Sequence, residues 1–186
     1  GSWPALSNPD FFEKVRADFI SQRANFIDAN LSDMKLSVYK NGTLVKTVPI
    51  LTKGKPGSWW ETPAGLYKIE GKAKTSYSSF GKVYLPWSMP FQGNFIVHGW
   101  PYYPDGTPVS SKYSGGCIRL STEDAKTVFD MVEVGTPVLV YEKDFSKDDF
   151  QYRFQGPQVS GASYLAADLH NNFVFLSSSS TVPVPI

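Results

Sequence analysis

A single cysteine in 186 residues, Cys117, sits in the turn Ser114-Gly115-Gly116-Cys117-Ile118-Arg119-Leu120, with an arginine two places on. Upstream, His98-Gly99 ends the apolar run Asn94-Phe95-Ile96-Val97. One thiol, one imidazole and flexible backbone between glycines are the parts that a cysteine acyl-transfer site needs. A free thiol titrates at about 8.5 and needs a base at neutral pH; an imidazole at the end of a strand is rigidly aimed to supply it. Gly99 lets the chain turn away without obstructing the thiol. Gly115 and Gly116 permit backbone N–H groups to face a developing oxyanion, each such donor being worth about 10²- to 10³-fold in rate. The competing reading makes Cys117 a small buried hydrophobe and His98 a structural histidine. His170, the other histidine, reads as an exposed turn residue. One Cys and two His fall short of a four-ligand zinc set, and neither a P-loop nor a G-x-S-x-G elbow occurs, so no metal and no cofactor is expected.

The elements that must hold these groups read as mostly β. Residues 8–29 predict a helix: Asn8 can cap it, Pro9 suits its first turn, and Phe12, Val15, Phe19 and Phe26 recur at helical spacing. Leu36, Val38 and Tyr39, then Asn41-Gly42, then Leu44, Val45, Val48, Ile50 and Leu51 predict a hairpin. Pro56, Pro63, Pro86, Pro90, Pro101, Pro104 and Pro108 punctuate the middle, which suits short strands and shaped loops. Gly65–Ile69 and Asn94–His98 are the clearest strands there, and Ser121 or Thr122 caps a second helix to about Val132, before the strand Pro137–Tyr141. Residues 1–33 are thus expected to be a tag scar (Gly1-Ser2) and an accessory helix, 34–142 one β-rich core, and 143–186 a linker and a hairpin. That hairpin, at 163–176 around His170-Asn171-Asn172, is expected to dock against residues 34–142 or against a second copy through Tyr164, Leu165, Phe173 and Phe175.

Eighteen basic and seventeen acidic residues give +1, so no strong field favours nucleic acid or an anionic membrane. No apolar run approaches the roughly 20 residues of a membrane span. Aromatics reach 15%, more than a core of this size requires, and some are expected to line a groove.

Taken in order, the motifs resemble those of the L,D-transpeptidases, cysteine enzymes that remodel bacterial peptidoglycan. Thr62-Pro63-Ala64-Gly65-Leu66-Tyr67 resembles their Thr-Pro-x-Gly-x-aromatic element, Ile96-Val97-His98-Gly99 their His-Gly strand, and Ser114 to Ala125 their cysteine turn and following helix. Many members carry His where this chain has Gly115. The resemblance implies a β-sandwich over residues 34–142, preceded by the accessory helix, and an extracytoplasmic protein anchored by a segment outside this sequence. It implies that Cys117 attacks the carbonyl at the L-centre of the third residue of a tetrapeptide stem and expels D-Ala. His98 is then the base, oriented by the Gly99 carbonyl, and Gly116 and Cys117 N–H groups receive the oxyanion. Arg119 orders the turn or pairs with a substrate carboxylate, a structural ion pair being the alternative. Ser114 and Gly115 are expected beside the substrate, with Tyr84, Trp87, Met89 and Trp100 as candidate groove walls, for which core packing competes. Transfer to an amine acceptor makes a transpeptidase and transfer to water an L,D-carboxypeptidase; a cell-wall binding module without catalysis is the reading from another class. The tail from Ser163 to Leu176, with Pro185-Ile186, resembles the start of a serine D-Ala-D-Ala carboxypeptidase domain.

Overall fold

A computed structural model describes residues 10–142, other than 60 and 94. The linker, the hairpin at 163–176, His170 and the docking expected of them lie outside the described residues. The chain runs α1 (Asp10–Ser21), β1 (Phe26–Asn30), β2 (Lys35–Lys40), β3 (Thr43–Pro49), β4 (Gly65–Lys68), β5 (Ala73–Ser78), β6 (Val83–Gln92), β7 (Phe95–His98), β8 (Ile118–Arg119), α2 (Thr122–Met131) and β9 (Pro137–Tyr141). Two sheets result, in the orders β3-β2-β1-β9-β4 and β5-β6-β7-β8. Their inner faces share one core: Ile27, Leu36, Leu66 and Leu139 from the first meet Met89, Phe91, Val97 and Ile118 from the second. Tyr67 and Phe91 touch across the gap with ring centroids 5.4 Å apart. The architecture is the mostly β sandwich with two helices that the sequence predicts.

Helix α1 is shorter than the apolar spacing suggests. Phe11, Phe12, Val15 and Phe19 are buried on one stripe, but Arg23 adopts a left-handed φ of 57° and ends the helical path. Phe26, which continues the stripe in sequence, is buried in β1 instead. It fits both patterns because a fully buried strand and a buried helix face demand the same apolar residue. β1 pairs antiparallel with β2 and parallel with β9, so the sheet begins at residue 26 and not at 34. The helix is bolted to this sheet by Arg16, whose Nε donates to Asp28 Oδ2 at 2.5 Å while the Tyr141 hydroxyl donates to Asp28 Oδ1 at 2.9 Å. Phe12 stacks on Tyr141 at 5.6 Å.

Asn41 and Gly42 take φ values of 52° and 75°, the left-handed pair that a two-residue hairpin turn requires. β6 runs through Pro86 and Pro90, residues that punctuate the sequence without breaking this strand. Their carbonyls still accept, from Gly99 N–H at 2.8 Å and Glu70 N–H at 2.7 Å. Between them Trp87 takes a left-handed φ of 53°, and the ladder to β7 shifts register between Pro90 and Gln92. β6 pairs with β5 from Val83 to Ser88 and with β7 from Met89 to Gln92, so one strand serves two neighbours in succession. α2 starts where Ser121 Oγ accepts from Asp124 N–H at 3.1 Å, with Glu123 and Asp124 in the first turn, and it buries Ala125 and Val128.

Candidate active site

β7 and β8 run parallel, with Val97 opposite Ile118 and His98 opposite Arg119. Side chains alternate across a strand, so partners in a parallel register share a face. Val97 and Ile118 are wholly buried in the core. Their neighbours Ile96, His98, Cys117 and Arg119 face the other way, and all four line one cleft of about 840 Å³. Cys117 and His98 therefore open into the same space.

His98 is 2% exposed, and its Nδ1 lies 2.5 Å from the Gly99 carbonyl oxygen. A carbonyl only accepts, so Nδ1 carries the hydrogen and Nε2 keeps its lone pair. Gly99 is required at its position, because a Cβ there would stand 2.9 Å from Thr122 Cα. Burial pushes His98 down to about 4, against the Gly99 contact and with help from the positive charge of Arg119. Burial pushes the Cys117 thiol up to about 11, opposed by a backbone hydrogen bond from Ile96 and by Arg119. Both shifts favour a neutral thiol and a neutral imidazole in the resting site.

The turn before Cys117 is held by hydroxyls. Ser114 Oγ accepts from Gly116 N–H at 3.1 Å and donates to the Cys117 carbonyl at 2.5 Å. Gly116 has φ 106°, a conformation suited to glycine. Because its N–H is committed to Ser114, the expectation that Gly116 donates to an oxyanion does not hold for this arrangement of the turn. Ser114, expected beside substrate, lines the cleft, but its hydroxyl is spent on the turn. Gly115 is exposed at the rim, and a Cβ there would meet nothing within 4 Å.

Arg119 is 8% exposed and belongs to none of the ion pairs among the described residues. Its guanidinium donates to Ser111 Oγ at 2.9 Å and lies over the Trp100 ring at 5.3 Å, while Nε is buried without a hydrogen-bond partner. Burial lowers its pKa. Thr52, its antiparallel bridge partner, also has a buried hydroxyl without a partner. The structural ion pair expected as the alternative for Arg119 is not formed among the described residues.

The groove walls differ from those expected. Tyr77, Phe80, Val83, Leu85 and Tyr113 line the cleft; Tyr84, Trp87, Met89 and Trp100 do not. Tyr84 alternates with Val83 and Leu85, and stacks on Tyr102 at 5.5 Å. The turn in the backbone at Trp87 directs its ring against Phe129 of α2, 5.2 Å away. Met89 is wholly in the core, and Trp100 sits behind Arg119 with its Nε1 donating to the Val109 carbonyl at 2.7 Å. Aromatic character drew attention to Tyr84, Trp87 and Trp100, but for the residues on β6 only the phase of that strand could separate cleft from core. The residues missed, Tyr77 and Phe80, belong to a polar, serine-rich stretch that carries no periodic signal.

The profile of the L,D-transpeptidase catalytic domain, YkuD type, matches residues 24–140. The chain belongs to the L,D-transpeptidase family. Among relatives, this L,D-transpeptidase domain is 24% identical over 133 residues to YciB of Bacillus subtilis strain 168, a protein itself described only as a candidate L,D-transpeptidase; the match covers 65% of this chain and 68% of YciB. Its fold is similar to the crystal structure of an L,D-transpeptidase from Stackebrandtia nassauensis, with TM-score 0.54, 23% identity, and 64% of this chain and 56% of that one covered. It is also similar to LdtMt1 in complex with imipenem, with TM-score 0.54, 25% identity, and 63% and 59% covered. The chain therefore spans less than two thirds of either solved structure. Among the described residues no helix is long and apolar enough to cross a membrane.

Proposed function

We propose that this domain is a peptidoglycan L,D-transpeptidase that works through a thioester on Cys117. The observation that carries this reading is the parallel register of β7 and β8, which turns Cys117, His98 and Arg119 into one cleft while Gly99 fixes the tautomer of His98. The stem peptide lies along the cleft with the carbonyl at the L-centre of its third residue over Cys117. As Sγ attacks, its proton passes to His98 Nε2, so neither charge forms alone in the buried site. The carbonyl oxygen takes up the negative charge and the Cys117 N–H stabilises it. When the tetrahedral centre collapses, the C–N bond to D-Ala breaks and His98 returns the proton to the leaving amine.

The acceptor amine of a second stem attacks the thioester, loses its proton to Nε2, and forms the new amide as the C–S bond breaks and Sγ is reprotonated. The buried cation of Arg119, in none of the ion pairs among the described residues, with the orphaned Thr52 hydroxyl beside it, supports recognition of a carboxylate of the stem. We place the catalytic unit at residues 26–142 with α1 packed on it, and the protein outside the cytoplasm, where its peptidoglycan substrate is cross-linked.

Mass spectrometry with imipenem tests the nucleophile. An adduct on Cys117, absent from Cys117→Ala, is expected; wild-type protein that binds glycan reversibly and takes up no adduct overturns the enzyme reading. Product analysis with a tetrapeptide stem and an amine acceptor tests the outcome. Cross-linked dimers are expected, and release of tripeptide alone makes the protein an L,D-carboxypeptidase.

A further inference from the structure

We propose that Thr62, which does not touch the cleft, is the positioning residue that aims the Cys117 N–H at the oxyanion. This inference rests on Cys117 being the nucleophile. Thr62 is 1% exposed, and its hydroxyl is fully committed: Oγ1 accepts from Gly54 N–H at 2.9 Å and donates to the Gly116 carbonyl at 2.8 Å. The Gly116–Cys117 peptide is trans and planar, so its C=O and N–H point in opposite directions. With the carbonyl drawn onto Thr62, which is buried and does not line the cleft, the Cys117 N–H points away from Thr62, and on this reading toward the cleft that Cys117 lines.

The next peptide is fixed in the same manner, by Ser114 Oγ on the Cys117 carbonyl at 2.5 Å. Two hydroxyls thus set the two peptide planes that flank the thiol. Gly116 supplies the backbone freedom, at φ 106°, that lets the chain reverse between them. Thr62 is itself held, because the following Pro63 restricts it to extended backbone. Only a side chain that accepts and donates within one bond length of its Cβ can bridge Gly54 to Gly116, which admits Thr or Ser and excludes Val.

Two reactions of the same thiol separate this role from a merely structural one. Acylation by imipenem passes through an oxyanion; alkylation by iodoacetamide displaces iodide at carbon and has none. In Thr62→Val, acylation is expected to slow about 10²-fold while alkylation stays within about twofold of wild type, and Thr62→Ser is expected to restore acylation. Thr62→Val that acylates at the wild-type rate, or that loses both reactions in the same proportion, overturns the proposal. Should Thr62→Val fail to fold, Thr62→Ala carries the same comparison, and a wild-type ratio of acylation to alkylation in that variant overturns it equally. Wild-type protein that reacts with iodoacetamide and never with imipenem overturns the acyl-transfer reading itself, and this one with it.

Discussion

His98 and Arg119 stand opposite one another on adjacent parallel strands, with both side chains on the cleft face. The proposed base is therefore placed beside a permanent cation that forms no ion pair with a carboxylate among the described residues. The cation disfavours imidazolium at rest and favours thiolate, since its charge lowers both His98 and Cys117.

Removal of that charge should move His98 upward. In Arg119→Met the His98 titration followed by NMR is expected to rise only part of the way from about 4, because burial is the larger cause of its depression, and in Arg119→Lys to stay near the wild-type value. A midpoint unchanged in Arg119→Met would assign the depression of His98 to burial alone.

His98→Ala should lose about 10²- to 10⁴-fold in acylation at neutral pH. The loss should shrink as the solution becomes alkaline, and because burial lifts the thiol to about 11, the recovery should lie well above the pH at which a free cysteine ionises. Equal loss at every pH would show that His98 acts chiefly in protonating the leaving amine.

Stability should fall with acid through His98. Its folded pKa of about 4 lies below the ordinary 6.5, so the unfolded chain binds the proton more tightly. The contribution is complete above 6.5 and is lost as pH falls toward 4, amounting to about 3 kcal/mol at most. Denaturant unfolding of wild type and His98→Gln between pH 7 and 4 should show a steeper loss in wild type; parallel curves would place the acid sensitivity elsewhere.

The two glycines before the thiol should answer differently to a side chain. A Cβ at Gly115 would meet nothing within 4 Å, so Gly115→His is expected to leave the melting temperature nearly unchanged. Gly116 holds φ 106°, so Gly116→Ala should cost about 1–3 kcal/mol and displace the thiol. Comparable thermal shifts in the two variants would contradict the turn described.

What the sequence disclosed follows from how local each signal is. The β2–β3 hairpin is legible because Asn41-Gly42 alone specifies its turn, and α2 because Ser121 supplies its cap within three residues. His98 and Cys117 stand out by residue type. The end of α1 was hidden because Phe26 satisfies two periodicities at once and the choice rests on pairing with β2 and β9, more than ten residues away in sequence or further. β5 carries no alternation, being polar on both faces, and the long reach of β6 across two prolines depends on carbonyls that sequence does not display. Thr62 was visible only as part of a motif; that its hydroxyl reaches Gly116, 54 positions on, is a fact of the fold.

The match to the family opens at residue 24, three positions beyond the end of α1. Cohesion does not respect that frontier. Phe11, Phe12, Val15 and Phe19 belong to the same apolar interior as the sheet, and among the described residues Arg16 is the only cation bonded to Asp28. A protein begun at the edge of the shared ancestry would leave one side of β1 and β9 bare, from Phe26 to Tyr141, and strand a carboxylate whose charge the helix had answered. The matched unit and the unit that holds together in water are different lengths of chain.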